Sequence, residues 1–149
     1  MKVCIFGAGA VGGHIATRLL AAKADEISVV ARGAQLQAMR TRGLTLRMGG
    51  KEIHAKPTIA TDDPSTLPPQ DVVAVSVKAT AALPAAAAAI GKLIAPGGCA
   101  VFMLNGIPWW WRHGLHGASG TLPLLDPDGA LWNHVKPERT LGCVVHMPN

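Results

Sequence analysis

The residues best suited to chemistry stand near the start of the chain, in the glycine-rich turn Gly7-Ala8-Gly9-Ala10-Val11-Gly12. The turn follows a short apolar run and opens a stretch of helical composition. In that context Gly7 permits a tight turn, Gly9 lets the backbone approach a diphosphate, and Gly12 lets the helix pack closely on the strand. No Asp or Glu in residues 1–24 opposes an anion at the helix N-terminus. The pattern predicts a dinucleotide-binding turn.

Arg32 stands 20 positions after Gly12, where a second apolar run ends. Proteins that bind the unphosphorylated dinucleotide usually place an acidic residue there, which accepts a hydrogen bond from the ribose 2′-hydroxyl. A guanidinium at this position pairs instead with a 2′-phosphate. Arg32 therefore predicts NADP(H) over NAD(H); the alternative is an exposed arginine at a strand end.

Lys78 and Asn105 each follow a later apolar run. If those runs are parallel strands, both residues open onto the crevice that holds the glycine turn. They would place a cation and an amide near the nicotinamide and the substrate, which makes both candidate catalytic residues. The alternatives are a solvated lysine that ends a strand and, for Asn105-Gly106, an ordinary turn dipeptide.

These residues require an alternating β and α framework. Periodicity predicts strands at 2–6, 27–31, 71–77, 99–104 and 141–147, helices at 11–23, 34–42 and 79–95, and a loop at 61–70. Alternation around Gly49-Gly50 predicts an inserted β-hairpin. The order indicates one Rossmann-like α/β domain over residues 1–149, with a doubly wound, mostly parallel sheet.

The segment 106–140 is irregular and contains Trp109, Trp110 and Trp111. Three consecutive indoles cannot all point into one core. They indicate either a contact with a second domain, a second subunit or a ligand, or a loop folded over the sheet. The final strand should expose apolar surface or pair in a homodimer.

Composition excludes several classes of protein. With 149 residues, 49% apolar and 15% charged, the chain has the core of one globular domain. The net charge of +5 suits an anionic ligand, but we expect the basic residues to be scattered, which disfavours nucleic acid. No apolar run is long enough for a membrane span and no signal-peptide pattern opens the chain, so a cytoplasmic location is expected. Cys4, Cys99 and Cys143 fit small core residues, and no histidine has metal-ligand spacing.

Four further segments, together with the glycine turn, resemble the N-terminal half of ketopantoate reductases, also called 2-dehydropantoate 2-reductases. They are Val30-Ala31-Arg32-Gly33, Ser76-Val77-Lys78-Ala79, Leu104-Asn105-Gly106-Ile107-Pro108 and Pro137-Glu138-Arg139-Thr140-Leu141-Gly142. The resemblance implies NADPH-dependent reduction of a 2-keto acid to a 2-hydroxy acid, a step toward pantothenate and coenzyme A. It assigns the diphosphate to the three glycines and the 2′-phosphate to Arg32. It places Lys78 by the cofactor, and Asn105 near the substrate hydroxyl and the nicotinamide ribose.

Members of that family are about twice this long. Their second, helical domain, absent from this chain, supplies a lysine as general acid and a glutamate that binds substrate. The resemblance thus implies as partners a keto acid and either the missing domain or a second subunit. Lys78 is the one candidate proton donor in the predicted crevice. Two other functions stay open: a non-catalytic NADP(H)-sensing module, and the cofactor domain of another hydroxy-acid dehydrogenase.

Overall fold

A computed structural model describes residues 1–23, 26–79, 82–118 and 120–146. The strands are β1 (Lys2–Phe6), β2 (Glu26–Val30), β3 (Leu44–Met48), β4 (Lys51–Ala55), β5 (Ile59–Thr61), β6 (Gln70–Val75), β7 (Ile94–Met103) and β8 (Thr140–Cys143). The α-helices are α1 (Ala10–Ala21), α2 (Gly33–Arg42), α3 (Ala82–Leu93) and α4 (Ala130–His134), and the 3₁₀ turns are η1 (Pro64–Thr66) and η2 (Pro137–Arg139).

Six of the strands form one parallel sheet in the order β5-β2-β1-β6-β7-β8. The chain builds outward from β1 in one direction through β2 and β5, and then in the other through β6, β7 and β8. The strand order therefore reverses between β1 and β6, and the carboxyl ends of all six strands lie at one edge. This confirms the predicted Rossmann-like architecture.

The sheet is covered on both faces, because successive residues of β1 enter different cores. Cys4 and Phe6 pack in the core formed with α3 and α4, whereas Val3 and Ile5 pack with α1 and α2. A parallel strand buried on both faces needs apolar residues at nearly every position. That requirement explains the unbroken apolar runs by which the sequence reveals β1, β2 and β6.

The predicted hairpin is confirmed as a separate two-stranded sheet of β3 and β4, which packs against α1. Gly49 and Gly50 both have positive φ, at 56° and 72°. A two-residue turn of this hand matches the twist of the strands that it joins.

Two connections differ from the expectations. The region expected to be a loop at 61–70 begins with the last residue of the short strand β5 and contains η1. The strand expected at 99–104 begins already at Ile94 and runs through Pro96-Gly97-Gly98, with a shift of register opposite Gln70 and Val72. Gly98 makes this possible, because a Cβ there would approach the Asp71 and Gln70 carbonyl oxygens at 2.9 Å.

The tryptophan-rich segment folds back over the sheet. Trp109 is 2% exposed and meets Phe102 edge-on with ring centroids 5.7 Å apart, and Trp110 also packs on Phe102. Trp111, in contrast, is 56% exposed. The loop interpretation therefore holds for the first two indoles. At the edge of the sheet Leu141 is exposed, as expected of the final strand.

The three cysteines have different environments. Cys4 is fully buried in the sheet, and desolvation raises the pKa of its thiol to about 12. Cys99 is half-buried, and Cys143 is exposed. The expectation of three core thiols is wrong for Cys143, because β8 is an edge strand with little packed over it. Within the described ranges, no helix is both long and apolar enough to cross a bilayer.

Candidate functional site

An open cleft of about 420 Å³ lies at the carboxyl edge of the sheet, above the point where the strand order reverses. Its walls come from the ends of β1, β2 and β6 and from the first turns of α2 and α3. The lining residues are Phe6, Gly7, Ala8, Gly9, Val30, Ala31, Arg32, Gln35, Ser76, Val77, Lys78, Ala82 and Ala86. Ligands of doubly wound sheets bind in this kind of crevice.

The glycine turn forms the floor of the cleft. Gly7 has φ of 99°, and its N–H donates to the Val30 carbonyl at 3.0 Å, which ties the turn to β2. Around Gly9 the space is open: a Cβ built there would meet nothing within 4 Å. Gly12 is the opposite case, because a Cβ would overlap the Gly7 carbonyl and the Ser76 hydroxyl. The turn thus offers backbone approach at Gly9 and close helix packing at Gly12.

Two side chains for which the sequence predicts no role hold the turn. The Ser76 hydroxyl donates to the Gly7 carbonyl at 2.6 Å, and the Gln35 amide donates to the Ala8 carbonyl. Both carbonyl oxygens are therefore engaged by protein donors. Gln35 and Ser76 come from opposite walls of the cleft, and neither belongs to the glycine motif itself. No sequence pattern identifies such contacts, since they join positions 27 and 69 residues apart.

The charged side chains lining the described cleft are both cationic. Arg32 follows β2 and Lys78 follows β6, and both are exposed. Since β1 separates these strands, their ends lie about 10 Å apart, at roughly 4.8 Å per strand step. The cleft thus holds one cation on each side of the glycine turn, and no carboxylate lines it. This arrangement suits an elongated ligand with several negative charges.

The other predicted site residues lie outside the lining. Ala10 is exposed at the start of α1, Val11 packs in the core beneath it, and Gly12 is buried. Asn105 follows β7, and its side chain exchanges two hydrogen bonds with the Val145 backbone, at 2.9 and 2.8 Å. The structure therefore brings the glycine turn, Arg32 and Lys78 together, and holds Asn105 against the segment after β8.

A second cleft, of about 350 Å³, lies between η1 and α3, away from the glycine turn. Its lining includes Asp63, whose pKa is lowered by hydrogen bonds from the Ser65 hydroxyl and amide. Lys92 also lines this cleft and offsets the charge of Asp63, so it is a poorer site for an anion with several charges than the cleft at the glycine turn. In the described part of the chain, no three His, Cys, Asp or Glu side chains are grouped as a metal ion would require.

Known proteins match this chain over most of its length. Residues 3–108 match the family described as ketopantoate reductase PanE/ApbA. A 2-dehydropantoate 2-reductase of Mesorhizobium japonicum is 42% identical over 148 residues, which are 98% of this chain and 45% of the relative. A crystal structure from Ralstonia solanacearum, assigned as a ketopantoate reductase, superposes with a TM-score of 0.87 at 44% identity, over 99% of this chain and 45% of the other.

A more distant structure, D-mandelate dehydrogenase with NADH and anilino(oxo)acetate, shares the fold. Its TM-score is 0.69 at 23% identity, over 97% of this chain and 40% of the other. In each of these comparisons the chain matches almost end to end, yet it spans less than half of the relative. The matched part contains the cleft and the glycine turn.

Proposed function

The chain belongs to the ketopantoate reductase family, and on that premise we propose that it binds NADP(H) in the cleft at the glycine turn. The observation that carries this proposal is the open space at Gly9 beside a turn whose carbonyls are already engaged. A diphosphate can reach the amides at the start of α1 there, where the helix dipole also favours an anion.

Arg32 and Lys78 orient the dinucleotide in this proposal. The guanidinium of Arg32 binds the 2′-phosphate, so the adenosine half lies over β2. The nicotinamide half then lies over β6, near Lys78. Position 32 carries no acid to accept a 2′-hydroxyl, which supports NADPH over the NADH that D-mandelate dehydrogenase binds on the same fold.

As part of a longer reductase, the chain would act on a 2-keto acid such as 2-dehydropantoate in the cytoplasm. The bound cofactor would supply the hydride. Lys78 would place a positive charge near the oxygen on which negative charge develops. For Asn105 we propose a contact with the substrate. Its amide still has one N–H and one lone pair beyond its two bonds to Val145.

The test is to titrate the 149-residue chain with NADPH and then add ketopantoate. We expect saturable binding, with oxidation of NADPH about a hundredfold or more slower than in the Mesorhizobium japonicum relative, which serves as the full-length control. General acid catalysis contributes roughly 10²–10⁴-fold, and the general acid is proposed to lie outside this chain. Turnover at the rate of the control would show that the cleft alone suffices for the reaction.

Gln35→Glu should weaken NADPH binding by about tenfold with little change in stability. A carboxylate cannot donate to the Ala8 carbonyl, and it adds a negative charge beside the diphosphate. Gln37→Glu is the matched control, since Gln37 lies on the same helix, is exposed and does not line the cleft. Equal affinities for the two variants, measured by nicotinamide fluorescence, would remove Gln35 from the site.

A further inference from the structure

The excess positive charge of the chain belongs to one continuous segment, residues 32–56, which comprises Arg32, α2 and the hairpin. This segment holds six of the 14 Lys and Arg residues and one of the nine Asp and Glu residues. The remaining 124 residues carry eight of each and are neutral. Basic residues occur along the whole chain, as expected, but their excess over acidic residues does not. The six are Arg32, Arg40, Arg42, Arg47, Lys51 and Lys56.

These six side chains form a basic surface that begins at the cleft and follows α2 to the hairpin, where Arg47 and Lys51 lie on opposite faces. All six are exposed. The first turn of α2 lines the cleft, and its last turn forms a groove with β3, lined by Ala38, Arg42, Gly43, Thr45 and Arg47. A Cβ on Gly43 would lie 2.6 Å from the Ala55 carbonyl, so the end of α2 abuts the end of β4. The charge thus continues from the cleft along α2 to the hairpin.

The segment 32–56 holds little negative charge of its own. Its one acid, Glu52, pairs with Arg47 at 3.2 Å and contacts His54 at 3.1 Å. Asp62 and Asp63 are counted with the neutral remainder, but they follow β5, whose last residue, Thr61, pairs with Val30 of β2 at the cleft end of the segment. Arg42, Lys51 and Lys56 make no side-chain hydrogen bond or ion pair with the residues that the structure describes. No side-chain contact therefore accounts for these three cations, although Arg42 stands in the last turn of α2, where a cation favours the helix dipole.

We propose that the cations of this basic surface other than Arg32 steer NADP(H) toward the cleft and raise its association rate without touching the bound cofactor. The inference rests on the proposed function. Ten residues of helix span about 15 Å, so Arg42 is beyond hydrogen-bond reach of a phosphate held at Arg32. Its influence is therefore long-range. The Debye length is roughly 30 Å at 0.01 M salt and about 8 Å at 0.15 M, so the effect should depend strongly on salt.

The test is the triple variant Arg42→Gln, Lys51→Gln, Lys56→Gln, which leaves the cleft untouched. The control Lys23→Gln, Lys92→Gln, Lys136→Gln removes the same net charge from the neutral remainder. Stopped-flow nicotinamide fluorescence measures association and dissociation rates at about 0.01 M and about 0.3 M salt. We expect the first triple to associate with NADPH about three- to tenfold more slowly at low salt, with an unchanged dissociation rate. The difference should vanish at high salt, and should be smaller for NADH.

The outcomes separate the two proposals. If the unmodified chain binds NADPH but the first triple associates as fast as the unmodified chain, steering is overturned and the proposed function stands. If both triple variants lose association rate equally, the effect comes from net charge alone. That result would also overturn steering by this surface. If the unmodified chain gives no NADPH signal at all, the proposed function fails and steering fails with it.

Discussion

Arg32→Ala is expected to weaken NADPH binding by about ten- to a hundredfold and to leave NADH binding nearly unchanged. Arg32 lines the cleft, follows β2, and makes no side-chain hydrogen bond as the N-cap residue of α2. Its guanidinium is therefore available to a 2′-phosphate. A hydrogen bond to a charged group contributes roughly 1.5–3 kcal/mol, which corresponds to that range of affinity. NADH lacks the 2′-phosphate, so the substitution removes no such contact from it.

The measurement is a pair of titrations at about 0.3 M salt, where long-range charge effects are largely screened. Arg42→Ala is the matched control, since it removes the same charge from the other end of α2. It should leave both affinities unchanged at this ionic strength. Arg32→Lys should restore only part of the preference, because a lysine lacks the planar fork that binds a phosphate through two N–H groups. A parallel loss of NADH and NADPH affinity in Arg32→Ala would contradict the assignment.

The sequence predicts the centre of the fold well, for a physical reason. β1, β2 and β6 are buried on both faces and must be apolar throughout, and the glycine turn after β1 has its own local signature. Arg32 and Lys78 follow directly from knowing where those strands end. The sites that depend on strand ends are therefore the most predictable part of this molecule.

Contacts between residues that are distant in the chain could not be predicted from the sequence. β5 has three residues and pairs only with β2, so it carries too short a pattern to be recognised. The early start of β7 depends on Gly98 lying against the Gln70 and Asp71 carbonyls, a contact between distant positions. The roles of Ser76 and Gln35 likewise depend on carbonyls of the glycine turn. In each case the structure depends on a contact with residues that are distant in the sequence, and the residue type alone does not predict that contact.

The charge distribution, unlike these contacts, can be read from the sequence. It is missed when the charges are counted over the whole chain instead of segment by segment. Counting within residues 32–56 shows the excess without any coordinates. The structure adds that this segment borders the cleft at one end. The effect of the charge on an approaching anion depends on where the cations lie relative to the cleft, and not only on the net charge of +5.

Gly9→Ala and Gly12→Ala should both abolish tight NADPH binding, but only the second should destabilise the fold. A methyl group on Gly9 enters open space, so the free energy of unfolding should change by less than about 1 kcal/mol. The same methyl occupies the approach to the α1 amides, and losing such charge-assisted bonds should weaken NADPH binding by about a hundredfold. At Gly12 the methyl overlaps the Gly7 carbonyl and the Ser76 hydroxyl, which should cost about 1–3 kcal/mol.

Denaturant unfolding and NADPH titration of the same samples separate these effects. Gly13→Ala is the control on the same helix: a Cβ there lies 3.4 Å from the Ala8 carbonyl, an ordinary contact. It should bind NADPH as the unmodified chain does and gain up to about 1 kcal/mol from helix propensity. If Gly9→Ala keeps full NADPH affinity, the diphosphate does not approach the backbone at this turn. The proposed cofactor site would then be wrong, whatever the result for Gly12→Ala. A loss of binding in Gly12→Ala can come from its folding defect alone, and so it does not show where NADPH binds.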